Sequence, residues 1–386
     1  MPNGPVIAIL GGGQLGRMFI ENALRYDVPV HVLDPDAQAP CSPIATRFVQ
    51  GRFDEKATVL SFARDADVVG IEIEHVNIEA LETLQAMGKR VIPDPSVLRI
   101  IQDKGRQKSF YRDHGIPTAP FTLIDGPDAI TEHADMLPAF LKSRTGGYDG
   151  RGVMPIASTQ DVERAFPGPS VLEKQAAIRM ELAVLVVRDD AGNTVCYDPV
   201  EMVFDPRFNL VDHLRAPARI DKPTRDGAIE LARTVANAFA APGLYAVELF
   251  LTTDHQLWVN ETAPRAHNSG HHTIEACMSS QFDQLLRLYL GMPLGDTTLR
   301  AHAAMINLVG EGGSGEPTLS GMHELLGMPA TYPHLYGKRQ TRTGRKMGHV
   351  TTLAPDDATL DRTIEKVKHY ARVTPANTST VARSNT

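Results

Sequence analysis

Over the first hundred residues, short unbroken apolar runs alternate with stretches in which apolar residues recur every three or four positions. The run VIAIL at 6–10 ends in glycines and predicts a strand buried on both faces. Leu15, Met18, Phe19 and Ala23 then follow at helical spacing. VPVHVLDPD (28–36), ADVVGIEIEHV (66–76) and KRVIPDP (89–95) predict further strands, with helical segments between them. Alternation of this kind implies an α/β fold that opens with a doubly wound parallel sheet.

The texture changes after Gln102. Residues 108–114 read as helix, which the prolines of GIPTAPF (115–121) break. AFLKS (139–143) is a strand that runs into the glycine-rich RTGGYDGRGV (144–153). SVLEKQ (170–175) and MELAVLVVRD (180–189) predict strands, 227–240 a helix and 244–265 a β-hairpin. SSQFDQLLRLYLG (279–291) is amphipathic at helical period, and from about Thr297 strands mix with glycine turns before a helix at 356–372.

Composition narrows the function classes. The 386 residues are 42% hydrophobic and carry a net charge of -7, a poor balance for wrapping nucleic acid. No apolar run is long enough to predict a membrane span, and no secretory signal is read at the N-terminus. Cys41, Cys196 and Cys277 lie far apart with no C-x-x-C, which fits a reducing, cytoplasmic setting.

Six segments carry candidate chemistry; in LEKQ (172–175), Glu173 and the backbone of Lys174 to Ala176 could face an adenine edge and Glu181 a ribose, although by pattern alone an ordinary strand fits better. In ILGGGQLGRM, Gly11, Gly13 and Gly16 have the spacing of a dinucleotide turn, and Asp34 ends the next strand where a ribose-binding acid would stand. A tight strand-to-helix turn beside a substrate site is the competing reading, and nothing else in the chain suggests hydride chemistry. In the hairpin, a turn centred on Asp254 and His255 would set Glu248 opposite Glu261, whose charges would then call for a cation between them. Mg²⁺ completed by phosphate oxygens fits such a pair, whereas a register shift would turn one Glu to solvent. Lys142 and the loop holding Gly146, Gly147, Tyr148, Asp149, Gly150, Arg151 and Gly152 suit phosphate binding under a mobile lid. PRAHNSGHH crowds Arg265, His267, Asn268, Ser269 and His271 just past Glu261; an anion pocket fits better than zinc, for which a third ligand is missing. The run 338–346 holds five basic residues in nine positions, either a solvated face or a grip on a phosphomonoester.

Together ILGGGQLGRM, EIEHV, QDK, GYDGRGV, NETAPRAHNSGHHTIEAC, SSQFDQLLR and GKRQTRTGRKMGHV resemble, in order, the N5-carboxyaminoimidazole ribonucleotide synthetases of the ATP-grasp superfamily. The resemblance implies a Rossmann-like domain at 1–100 without a dinucleotide. It also implies an ATP-grasp domain at 101–296, with a lid subdomain at about 118–176, and a small mixed α/β domain at 297–386. It implies carboxylation of 5-aminoimidazole ribonucleotide with ATP, Mg²⁺ and bicarbonate, by a homodimer. ATP would meet Lys104, Lys142, the lid from Gly147 through Tyr148, Asp149, Gly150, Arg151 and Gly152 to Val153, then Glu173, Lys174, Gln175, Ala176, Glu181, Asn260 and Glu261. Glu248 and Glu261 would hold the metal. Gln14, Glu72, Tyr148, Arg151, Arg265, His267, Asn268, Lys338 and Arg345 would take the ribonucleotide and bicarbonate, with Arg265, His267, Asp149 and Arg151 nearest the chemistry.

Two positions depart from the family pattern: Lys104 stands where Arg is usual, and Glu201-Met202-Val203-Phe204 replaces a run that ends in a His near ATP. The nearest alternative on the same fold is formate-dependent glycinamide ribonucleotide transformylase, which usually has Glu-Leu-Gly-Lys where this chain has Gln14-Leu15-Gly16-Arg17. Biotin carboxylase, an oxidoreductase and a non-catalytic nucleotide-binding module stand further off.

Overall fold

The apolar runs of the N-terminal region pair side by side in the computed structural model, which describes residues 4–146, 152–207 and 210–376. Strands Ile7–Leu10, Val30–Asp34, Arg47–Gln50, Val68–Ile71 and Arg90–Ile92 form a parallel sheet, with the first strand between the second and the fourth. Arg47–Gln50 has no apolar run to announce it, because this edge strand is exposed or half-buried throughout. Helix Gln14–Leu24 buries Leu15, Met18, Phe19 and Ala23, the positions its period predicts.

Strands Phe121–Ile124, Ser170–Lys174, Ala139–Ser143 and Val153–Ile156 make a separate antiparallel sheet in that spatial order. The predicted lid residues Gly147, Tyr148, Asp149, Gly150 and Arg151 lie outside the described residues. Beyond them, the carbonyl of Gly152 accepts the Ser143 N–H at 2.8 Å, and Val153 pairs with Lys142.

The largest sheet is antiparallel and crosses the division expected near residue 297. Leu257–Ala263, Gly243–Thr252, Ile178–Arg188, Val200–Asp205 and Leu210–Ala216 continue directly into His302–Val309, Lys346–Ala354 and Thr331–Leu335. Helix Asp357–Tyr370 packs Leu360, Ile364 and Val367 against the C-terminal part of this sheet. Helix Gln281–Tyr289 joins the large sheet to the N-terminal one. Its Phe282, Leu285, Leu286 and Tyr289 share a core with Ile7, Ile9 and Phe19, and the Phe19 and Tyr289 rings meet edge to face at 5.4 Å.

Two helices begin earlier than their apolar periodicity suggests. The helix expected at 108–114 spans Lys104–Asp113, because Asp103 caps it by accepting the Gly105 and Arg106 N–H groups. The helix expected at 227–240 spans Lys222–Phe239, capped by Asp221 with a proline in its first turn. Among the described residues, no helix is long and apolar enough to cross a membrane.

Candidate active site

Glu248 and Glu261 do face each other across the hairpin of strands Gly243–Thr252 and Leu257–Ala263. The turn is not the one expected. Thr252 N–H bonds to Gln256 O, and Leu249 pairs with Val259, a register that would put Glu248 opposite Asn260. A bulge between these positions adds one residue and restores Glu248 to Glu261. Asn260 is the added residue, and its amide oxygen accepts from Lys142 at 3.2 Å.

The two carboxylates do not titrate alike. Lys104 Nζ lies 2.6 Å from Glu261 Oε2 and holds that carboxyl well below its usual range. Burial, with Glu261 next to it, pushes Glu248 up. A cation is therefore already drawn to the pair, which suits a divalent metal. Among the described residues, no three His, Cys, Asp or Glu side chains are grouped to hold a metal alone. Two carboxylates that need phosphate oxygens to complete the shell fit Mg²⁺.

Helix Lys104–Asp113 lays one face on this hairpin. Lys104, Gln107, Lys108 and Tyr111 repeat at i, i+3, i+4 and i+7. The Gln107 amide pairs with the backbone of Thr262 at 3.3 and 3.4 Å, and Tyr111 Oη donates to Thr262 Oγ1 at 2.7 Å. These bonds fix the strand that carries Asn260 and Glu261. Lys108 is 3% exposed; its ammonium pairs with Glu173 Oε2 at 2.7 Å and donates a hydrogen bond to Thr118 Oγ1 at 2.7 Å. Burial brings its ammonium down to about 8, against the pull of Glu173.

Glu173 was expected against adenine, but its carboxylate is spanned by Lys108 and Lys142, the latter at 3.0 Å. Burial opposes its charge, yet the two lysines hold its pKa below the ordinary value. The N–H groups of Lys174 and Gln175 bond Pro120 O and Pro138 O at 2.8 and 2.9 Å, so both donors are taken at one end of the four-stranded sheet. Glu181 lies on strand Ile178–Arg188 opposite Phe250, and burial pushes it up to about 7. Ala183, two residues on, pairs with Glu248, so Glu181 and Glu248 share one face of the sheet.

The glycine loop answers its own question. Glu72 Oε2 and Oε1 accept the Gly13 and Leu15 N–H groups at 3.0 and 3.1 Å, and Asp34 Oδ2 accepts Gly12 N–H at 2.7 Å. The donors a dinucleotide would need at this helix N-terminus are taken by the chain's own carboxylates. Asp34 also accepts from Asp36 N–H at 2.8 Å, so it is not poised for a ribose. Gly13 is required because a Cβ there would come within 2.4 Å of Glu72 Oε1. Glu72, Leu15, Gly16 and Arg265 line one small recess, with Gln14 opening the helix beside it.

Arg265 Nε lies 2.8 Å from Glu74 Oε1, so the EIEHV segment supplies two acids with different tasks. His267 Nε2 is 3.7 Å from Glu248 Oε1. Burial, then Arg265 and Lys346, lower His267 to about 3. Asn268 and Asn307 exchange amide hydrogen bonds at 3.0 Å in both directions. In the basic run, Lys338 Nζ bonds Lys346 O at 2.7 Å, while Arg345 turns to Gln340 O at 2.7 Å. Lys346, in the same run, is near enough to lower the pKa of both Glu248 and His267, whereas the residues of this run expected to act, Lys338 and Arg345, were expected at the ribonucleotide phosphate.

The structure thus gathers Lys104, Lys142, Glu173, Glu181, Glu248, Asn260, Glu261 and His267 around one cleft. Sequence reasoning missed Gln107, Lys108, Tyr111, Glu74 and Lys346. The first three were legible in the helical spacing of polar residues after Asp103. Where the family's usual His is replaced, Phe204 packs among apolar neighbours and Glu201 is clamped by Arg219 at 2.5 and 2.9 Å.

Comparison with known proteins covers most of the chain. Residues 5–102 match the ribonucleotide synthetase preATP-grasp domain, 109–282 the ATP-grasp domain and 303–363 the phosphoribosylaminoimidazole carboxylase C-terminal domain. The N5-carboxyaminoimidazole ribonucleotide synthase of Brucella melitensis is 35% identical over 91% of this chain and 97% of its own. The chloroplastic phosphoribosylaminoimidazole carboxylase of Vigna aconitifolia is 38% identical over 92% of this chain, which spans only 65% of that longer protein. The crystal structure of the Thermotoga maritima synthetase superposes with a TM-score of 0.89 at 36% identity, over 97% of this chain and 100% of its own. The Aspergillus clavatus synthase, solved with ADP and 5-aminoimidazole ribonucleotide, gives a TM-score of 0.86 at 34% identity, over 96% of this chain and 99% of its own. The chain belongs to the N5-carboxyaminoimidazole ribonucleotide synthetase family of ATP-grasp enzymes.

Proposed function

We propose that this chain uses ATP and bicarbonate to carboxylate 5-aminoimidazole ribonucleotide on its exocyclic amine, releasing ADP and phosphate. The observation that carries this reading is the opposed pair Glu248 and Glu261, with Lys104 already on one of them and Lys142 on the intervening Asn260. Such a cluster fits a metal-bound polyphosphate.

Bicarbonate is a poor electrophile. Its oxygen attacks the γ-phosphorus, the bond to ADP breaks, and carboxyphosphate forms; the amine nitrogen then bonds the carboxyl carbon as the bond from that carbon to the oxygen on phosphorus breaks, and the departing phosphate takes the amine proton. Mg²⁺, when bound, supplies positive charge for the transferring phosphoryl group. Glu248 and Glu261 hold it, and Lys104 and Lys142 add charge at the phosphates. Glu181 meets the ATP ribose and the segment from Lys174 to Ala176 meets adenine, while Glu173 stays between Lys108 and Lys142. Arg265, His267 and Asn268 line the bicarbonate side. Gln14 and Glu72 place the ribonucleotide, whose phosphate lies by Lys338 and Arg345. The segment Gly147 to Val153, with Tyr148, Asp149 and Arg151, covers the reaction, since carboxyphosphate hydrolyses in open water. We further take the molecule to be a cytoplasmic homodimer, which sedimentation equilibrium would check.

The test is ADP release in the presence of ATP, Mg²⁺ and bicarbonate, with and without aminoimidazole ribonucleotide. Release that depends on the ribonucleotide is expected. If it is absent while ATP still binds, the acceptor is wrong, and formate with glycinamide ribonucleotide becomes the next assay.

A further inference from the structure

His267 opens a short 3-10 turn, Asn268–Gly270, whose geometry decides where the imidazole carries its proton. The backbone N–H of Ser269 points at His267 Nδ1 at 3.3 Å, and Ser269 Oγ lies 2.9 Å from the same nitrogen. A backbone N–H can only donate. Nδ1 must therefore accept, which excludes both the doubly protonated ring and the Nδ1–H tautomer. The proton sits on Nε2, the nitrogen that faces the cleft 3.7 Å from Glu248.

The ring is aimed by a second residue. Gln281 is fully buried at the start of helix Gln281–Tyr289. Its Oε1 accepts His267 N–H at 2.9 Å and its Nε2 donates to His267 O at 2.9 Å, so one side chain grips both backbone groups of His267. The remaining Nε2 hydrogen reaches His271 Nδ1 at 3.1 Å. The amide orientation follows from these partners, because a flipped amide would oppose donor to donor at His267 N. The site is tight as well: a Cβ on Gly270 would meet Gln281 Oε1 at 2.5 Å.

We propose that Ser269 and Gln281 are positioning residues that lock His267 as its Nε2–H tautomer, so that it meets an oxyanion of bicarbonate or carboxyphosphate as a hydrogen-bond donor and takes no proton from the amine. The identity of the anion rests on the function proposed above; the tautomer does not. Neutral histidine donating to a developing oxyanion stabilises charge without needing a proton acceptor of its own.

The experiment is ¹⁵N NMR of histidine-labelled full-length enzyme, with the His267 signals assigned by their loss in His267→Gln. The expected spectrum is a bare Nδ1 and a protonated Nε2. A protonated Nδ1 would overturn the proposal whatever the enzyme turns out to carboxylate. Ser269→Ala keeps the backbone donor, so Nδ1 should stay bare, while loss of the hydroxyl contact that holds the ring should lower kcat about tenfold, with KM for ATP unmoved and the melting temperature retained; Ser269→Thr should restore kcat. Because Gln carries an N–H near the position of Nε2, His267→Gln should keep more turnover than His267→Ala. Equal loss in both variants would mean that the ring accepts a proton, and would also overturn the proposal.

Discussion

Glu261 answers to two cations. In the structure it binds the Lys104 ammonium; in turnover it is assigned to the metal. Glu261→Gln weakens both attractions while keeping shape and hydrogen-bonding capacity. Turnover should fall by about 100-fold or more, with the melting temperature close to that of the parent, and near-parental kcat would remove the metal assignment. Glu181 supplies a pH signature. Burial raises it from 4.5 to about 7, so between those values the folded chain binds a proton that the unfolded chain releases. Stability attributable to this group therefore declines as pH rises through that window, and the full cost is present above it. Glu181→Gln removes the cost. Thermal melts at pH 5 and pH 8 should show the variant gaining more over the parent at pH 8, and an equal difference at both would mean that Glu181 is not held in a desolvated site.

At the scale of elements, the site depends on where strands and helices begin, which apolar periodicity marks poorly. The buried parallel strands were readable because each is an uninterrupted apolar run, and the carboxylate pairing was readable because the hairpin is long. The bulge at Asn260 was not, since it compensates for a wider turn and leaves the same residues opposed. Helix Lys104–Asp113 was half legible: its cleft-facing residues are polar, so a search for an apolar stripe started it one turn late. The glycine loop shows the opposite hazard. Its spacing belongs equally to a phosphate cradle and to a turn closed by internal acids, and only the positions of Glu72 and Asp34 separate the two. Gly13→Ala would drive a methyl into the Glu72 carboxylate and should cost roughly 1–3 kcal/mol of unfolding free energy, measurable by urea denaturation. A neutral effect would mean that Glu72 does not fill the loop. The same reading predicts that NADH titration produces no quenching of nicotinamide fluorescence.

At the scale of the molecule, the site is assembled from three parts of the chain that fold into one continuous packing unit. Helix Gln281–Tyr289 couples the N-terminal sheet to the large one, and strand His302–Val309 carries the large sheet into the C-terminal residues. The basic run is thereby brought against the N-terminal helix: a Cβ on Gly337 would lie 2.8 Å from an Arg17 guanidinium nitrogen. Lys338 sits beside this junction, its ammonium 5.5 Å from the centre of the Tyr336 ring, far along the chain from the lysines assigned to ATP. The two ends of the reaction are thus served by different segments, and they should separate kinetically. Lys338→Ala removes one charge-assisted contact to the ribonucleotide phosphate, worth about 1.5–3 kcal/mol, so the KM for the ribonucleotide should rise roughly 10- to 100-fold. The KM for ATP should not move, because Lys104 and Lys142 are untouched. If both constants rise together, the basic run acts by holding the C-terminal strands in place; if neither rises, it is a solvated face and the phosphate is held elsewhere.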